Sequence, residues 1–305
     1  MAYLTPNFLN LDAGTGVSYV EAFPDEEAAA AGGDNSTILL LHGFPSSSSH
    51  YSLLIPLLLA QGYHILAPDF PGYGFTTVPK DYVYSFENIA STISAFLKAK
   101  GISSVAATYI FDYGAPVGFR LFTKHGLKTE AIISQNGNAY VEGLGPFWEP
   151  FKGLWASNNT PADREPFIAA GLTLEAIKMQ YVTGESPETV AKIDPHTTYE
   201  RDANLVARPG NQDIQLDLFY DYRKNVDLYP EWQAWLRENQ PPVLAVWGKN
   251  DPIFIPPGAE AFKRDLKDPI VKLLDAGHFT TVTHAQELAA EIKPFLEGVR
   301  KSKTY

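Results

Sequence analysis

The run Ala107-Thr108-Tyr109-Ile110-Phe111-Asp112-Tyr113-Gly114 constrains the fold of this 305-residue chain more than any other. A mostly apolar stretch ends on a carboxylate, turns at a glycine, and resumes as a helix-like pattern from Val117 to His125. A buried strand, a sharp turn and a helix satisfy that order of residues. Together they leave Asp112 projecting from the C-terminal edge of a sheet.

The alternation recurs along the chain. Thr37–Leu41 runs into His42-Gly43-Phe44-Pro45, and Tyr63–Ala67 into Pro68-Asp69-Phe70-Pro71-Gly72-Tyr73-Gly74. Val105–Phe111 leads to Asp112, and Ala131–Ser134 follows. Leucine-rich Tyr51–Gln61 reads as helical despite Pro56. A second helix is capped by Ser85, carries Ile89, Ile93, Phe96 and Leu97 on one face, and stops at Gly101. Upstream, Asn7–Asp12 and Val17–Phe23 form a hairpin through Ala13-Gly14-Thr15-Gly16. Pro24–Asn35 is a surface excursion without chemistry.

From about Gly137 to about Gln240 the strands cease. Aromatic-rich helical patterns replace them, with a turn at Ala207-Arg208-Pro209-Gly210. Strands return as Val243–Trp247 and Ile270–Leu274. A closing helix bears Leu288, Ile292, Phe295 and Leu296 on one face, and Pro294 should kink it or mark its weak end. The expectation is a doubly wound, mostly parallel eight-stranded α/β core, residues 1–136 and 241–305, interrupted by a helical cap, residues 137–240.

Composition narrows the setting. A formal net charge of −11 argues against wrapping nucleic acid or holding an anionic membrane by charge. Cysteine is absent, which removes thiolate nucleophiles, thiolate metal sites and disulfides together. No apolar stretch approaches the roughly 18–20 residues of a membrane span. Met1–Asn10 lacks the pattern of a secretory leader, so a soluble cytoplasmic protein is expected. Nothing sets an oligomeric state.

Three stops at strand ends align: Asp112, then Asp251 in Trp247-Gly248-Lys249-Asn250-Asp251-Pro252, then His278 in Asp275-Ala276-Gly277-His278-Phe279. Nucleophile, acid and histidine in that order resemble the α/β-hydrolases, with Asp112 on a nucleophile elbow. His42-Gly43-Phe44-Pro45 and the Asp69–Gly74 loop match further motifs of the superfamily. The chain looks closest to its aspartate-nucleophile branch, the epoxide hydrolases and haloalkane dehalogenases. One departure is Ile110, two residues before the nucleophile, where elbows usually place a small residue.

The residue types suit that chemistry. A free aspartate has a pKa of about 3.9, so Asp112 can attack carbon without a base and form an alkyl ester. His278 would then take a proton from water, which attacks the ester. Asp251 would orient the imidazole. Asp275 and His284 are rivals for the acid and the base. Backbone N–H groups of Phe44 and Tyr113 would hold the oxyanion.

The resemblance also ranks the reactions. Dehalogenases place a tryptophan directly after the nucleophile to bind halide, where this chain has Tyr113, though Trp148 or Trp155 of the cap offers an indole N–H. The arginines with which haloacid dehalogenases clamp a carboxylate are replaced by Gly114-Ala115-Pro116. Epoxide hydrolases use cap tyrosines as acids, for which Tyr220 and Tyr222 are candidates, with Tyr140 and Tyr181 nearest the early position. The resemblance further implies a cis Phe44–Pro45 bond. The expected activity is a cofactor-free, metal-free, epoxide-hydrolase-like reaction on a small, neutral, hydrophobic substrate. A haloalkane dehalogenase with an atypical halide site is the alternative. A hydrolase-fold protein that binds a ligand, or performs a condensation or cyclisation, is a third reading.

Overall fold

The computed structural model describes residues 5–12, 14–32 and 37–303. Ala13 of the expected hairpin turn and Gly33–Asn35 of the expected excursion lie outside those residues. Eight strands form one sheet: β1 (Pro6–Asp12), β2 (Thr15–Ala22), β3 (Thr37–Leu41), β4 (His64–Pro68), β5 (Ala107–Phe111), β6 (Ile132–Gln135), β7 (Val243–Gly248) and β8 (Ile270–Leu274). Their order is β1-β2-β4-β3-β5-β6-β7-β8. β1 and β2 pair antiparallel, as do β2 and β4; every other pairing is parallel. Strands β5, β6 and β7 are buried along their whole length, which is why they read as unbroken apolar runs rather than as alternations.

The chain passes from β3 out to β4 and returns to β5 on the other side of β3. Strand order reverses there, so the loops after β3 and β5 diverge and leave a crevice at their carboxyl ends. Helix α1 (Phe86–Ala99) is capped by Ser85, whose Oγ accepts from the Asn88 N–H at 3.2 Å. It packs on α2 (Gly114–Thr123), the helix after Asp112. The closing helix, Ala285–Lys303, continues through Pro294 instead of ending there.

Three local readings differ from expectation. Val105 belongs with Ser104 to a separate two-residue pairing with Lys128–Thr129, and the sheet strand begins at Ala107. Tyr51–Gln61 holds only a short helix, Ile55–Leu59, with Pro56 in its first turn. Pro24–Asn35 contains a helix at Glu26–Gly32.

Between β6 and β7 the described elements are helical. They include α3 (Glu149–Ala156), α4 (Pro161–Gly171), α5 (Leu174–Val182), α6 (Tyr199–Val206), α7 (Asn211–Asp221) and α8 (Arg223–Asn239). No helix among the described residues is long and apolar enough to cross a membrane.

Candidate active site

Register places the first contacts. Leu41 of β3 stands opposite Ile110 of β5, so two residues further on Gly43 meets Asp112. A Cβ on Gly43 would fall 2.2 Å from Asp112 Oδ1; only glycine admits the carboxylate there. Asp112 itself has φ 47°, a left-handed conformation that a non-glycine residue adopts at a cost. That turn swings its side chain off the strand and back toward the β3 loop. Ile110 is accommodated because Gly118 of α2 faces it: a Cβ on Gly118 would lie 2.7 Å from Ile110 Cγ2. The bulky residue at the elbow is thus matched by a missing side chain on the helix.

The Phe44 N–H donates to Asp112 Oδ1 at 2.7 Å, and the neighbouring Tyr113 N–H also favours the charged carboxylate. The Phe44–Pro45 peptide is cis, as the motif implied. Burial pushes the Asp112 carboxyl up to about 6, against the opposing pull of His278 and of the two N–H groups. His42 is buried and neutral: its Nε2 accepts from the Phe70 N–H at 2.9 Å, so Nδ1 carries the proton, 3.2 Å from the Gly43 carbonyl. It fixes the loop and does not face the pocket.

His278 meets both carboxylates. Its Nδ1 lies 2.7 Å from Asp251 Oδ2, and its Nε2 4.0 Å from Asp112 Oδ2. Burial pulls the imidazole pKa down, but the charge and hydrogen bond of Asp251 and the charge of Asp112 outweigh it and hold the value above the ordinary one. Asp251 is itself saturated, with Oδ1 accepting from the Ile253 N–H at 2.7 Å and Oδ2 from Asn136 Nδ2 at 2.6 Å. Both rivals fall away. Asp275 is at the surface, paired with Lys249 at 3.0 Å, and His284 turns toward Thr283 and Glu185.

Asn136 went unnoticed in the sequence. It follows β6 as Asp112 follows β5, with φ 48°, and its Oδ1 accepts from the Gly248 N–H at 2.9 Å. The signal existed: it is a fourth polar stop at a strand end, one which an ordinary turn would equally explain.

Above Asp112 lies a cavity of about 300 Å³, walled by Phe44, Tyr113, Trp148, Phe151, Phe219 and Tyr222 among others. Of the tyrosines and tryptophans singled out from the insertion, Trp148 and Tyr222 line it. Trp148 offers only its ring, because its indole N–H donates to the Ile253 carbonyl at 2.7 Å. Trp155 gives its N–H to the Phe219 carbonyl at 2.9 Å and stacks on Tyr222, with ring centroids 6.0 Å apart and planes 12° apart. The Tyr222 hydroxyl is buried beside that of Tyr229, 3.2 Å away.

The other candidates are corrected by their placement. Tyr220 points its hydroxyl to the Ser157 carbonyl and lies under the Arg223 guanidinium. Tyr181 donates to Asp202 at 2.5 Å and stacks on Phe279. Tyr140 packs against Phe262 with its ring beneath Arg264. None of the three lines the cavity, because each sits on the side of its element that packs elsewhere. No cluster of side chains able to hold a metal ion occurs among the described residues.

Comparison with known proteins agrees with this architecture. A profile of the α/β hydrolase fold matches residues 36–285. An uncharacterized hydrolase of Saccharomyces cerevisiae is 45% identical over 253 residues, 82% of this chain and 86% of the yeast protein. The haloalkane dehalogenase DbeA of Bradyrhizobium elkani superposes with a TM-score of 0.70 at 21% identity, covering 98% of this chain and 99% of that one. The epoxide hydrolase CorEH does so with a TM-score of 0.73 at 16% identity, covering 97% and 99%. The chain belongs to the α/β hydrolase fold family.

Proposed function

We propose that the protein is a hydrolase that attacks carbon with the Asp112 carboxylate and acts on small, neutral, hydrophobic epoxides through an ester intermediate. On this reading residues 137–240 are its cap. The observation that carries the epoxide branch is the inventory of donors around the pocket. The indole N–H groups of Trp148 and Trp155 are committed to carbonyls, whereas the Tyr222 hydroxyl belongs to a residue lining the same cavity as Asp112. A departing halide needs N–H donors facing it. An opening epoxide needs one proton, delivered to an oxygen that stays attached to the product. Likeness to dehalogenase and epoxide hydrolase structures at this identity speaks to fold alone, so the support for the epoxide branch comes from the donors.

Asp112 Oδ1 is held by the Phe44 N–H, which leaves Oδ2 to bond to the epoxide carbon. The carbon–oxygen bond breaks opposite, and Tyr222 protonates the departing oxygen. His278 Nε2 then takes a proton from water, whose oxygen adds to the carbonyl carbon of the Asp112 ester. The N–H groups of Phe44 and Tyr113 hold the oxyanion, a contribution of roughly 2.7–4 kcal/mol per donor in comparable sites. Asp251 stabilises the imidazolium. Collapse expels the diol oxygen, which takes the proton from His278; the water's second proton passes from the new Asp112 carboxyl back to the Tyr222 phenolate, which restores the carboxylate and the acid together. No step calls for a cofactor.

Single turnover of styrene oxide in heavy-oxygen water, with enzyme in excess, tests this. One labelled oxygen should appear in the Asp112 side chain. Diol formed without label in that peptide would overturn the covalent route.

A further inference from the structure

The Tyr222 hydroxyl has a directed support behind it. Tyr222 and Tyr229 are seven residues apart, two turns along one face of α8 and the residue before it, and their hydroxyls are 3.2 Å apart. Tyr229 Oη in turn lies 3.2 Å from Nδ2 of Asn138, in the loop after β6. All three side chains are buried. Backbone groups settle which way the Asn138 amide points: Nδ2 donates to the Tyr140 carbonyl at 2.7 Å, and Oδ1 accepts from the Tyr140 N–H at 3.3 Å. An amide nitrogen can only donate, so Tyr229 Oη is an acceptor in that contact.

Tyr229 still has its own hydrogen to place. Among the described residues the acceptor within reach is Tyr222 Oη. Were Tyr222 the donor instead, the Tyr229 hydrogen would be buried without a partner, the costlier arrangement. With Tyr229 donating, the Tyr222 hydrogen is left for an oxygen in the cavity. We infer that Asn138 and Tyr229 are positioning residues that orient the donors in one direction, Asn138 to Tyr229 to Tyr222, so that Tyr222 presents a hydrogen to the group bound opposite Asp112. The inference rests on the reading of Tyr222 as the proton donor. It also defines that group: it must accept a hydrogen bond, as an epoxide oxygen or a neutral amide carbonyl does and an alkyl chain does not.

Two variants test the direction. Tyr229→Phe keeps the ring and removes the hydrogen given to Tyr222. Asn138→Asp replaces the donor by an acceptor and reverses the chain, so that Tyr222 must donate backward. In single turnovers of styrene oxide, Tyr229→Phe should slow ester formation about tenfold and Asn138→Asp further, with ester hydrolysis unchanged. Phenylacetamide, whose carbonyl imitates the epoxide oxygen without reacting, should bind about tenfold more weakly to Tyr229→Phe and to Tyr222→Phe alike. Thermal melts establish that each variant is folded, and Tyr229→Phe suffices if Asn138→Asp is not. Unchanged ester formation and amide affinity in Tyr229→Phe would overturn the relay, and so would an equal loss in both half-reactions. Turnover that survives Asp112→Asn, or a wild type inert to styrene oxide, would instead remove the underlying epoxide reading.

Discussion

His278 Nε2 faces Asp112 Oδ2 across 4.0 Å, and among the described residues it has no hydrogen-bond partner. A base that had to deprotonate its nucleophile would stand within hydrogen-bond reach of it; a carboxylate needs no such help. The spacing suits a base that acts on water between the two groups, after the ester has formed. Replacing His278 by Gln should leave ester formation within about tenfold of wild type and reduce turnover by about a thousandfold or more. Intact-protein mass spectrometry after mixing with styrene oxide would detect the accumulated adduct. Loss of turnover without an adduct would assign His278 to the first step instead.

Asp112 links the site to stability. Burial pushes its carboxyl from 3.8 up to about 6. The folded-state value lies above the unfolded one, so the folded protein binds this proton more tightly. The ionised group therefore costs stability in full above about pH 6, and the cost fades as pH falls to about 4. Asp112→Asn should be more stable than wild type by about 3 kcal/mol at pH 8 and level with it near pH 4. Urea melts at the two pH values check this, and a difference independent of pH would break the connection. The same carboxyl predicts that ester formation slows as pH falls through about 6.

The parts of this site legible in the sequence are those fixed by chain order. Asp112, Asp251 and His278 each follow an apolar run, and a parallel sheet brings such run-ends to one edge whatever the side chains around them do. The insertion offers no comparable rule. Whether a tyrosine there faces the pocket depends on the rotation of its helix, and Tyr220 and Tyr222, two residues apart, point to different places. The tryptophans were misleading for a related reason: their rings and their N–H groups have separate partners, and only packing reveals that the N–H groups are taken. Tyr229 and Asn138 were invisible because a relay is a property of three residues at once.

The commitment of both indoles separates the two reactions. Tyr222→Phe should lower ester formation from styrene oxide by roughly 10²–10⁴, the range for losing a general acid. It should change the turnover of 1-bromohexane, if any is measurable, by less than about threefold, since halide departure takes no proton. Parallel assays on the two compounds decide the matter. Equal losses on both would mean that Tyr222 shapes the cavity and donates nothing.

Glu185 ties the insertion to the histidine loop. Its Oε1 accepts from the Gly277 N–H and from Thr283 Oγ1, each at 2.8 Å, and its carboxyl is buried. Gly277 precedes His278, so this contact holds the backbone that carries the imidazole. Glu185→Gln retains an acceptor for the Gly277 N–H and should have a small effect. Glu185→Ala leaves that N–H unpaired and should destabilise the fold by about 1–3 kcal/mol. On the proposed mechanism, in which His278 is the base of ester hydrolysis, its kinetic effect should fall on that half-reaction and leave ester formation nearly untouched. Rapid-quench measurement of both steps checks this. If both slow equally, the contact supports the fold as a whole and not the placement of His278.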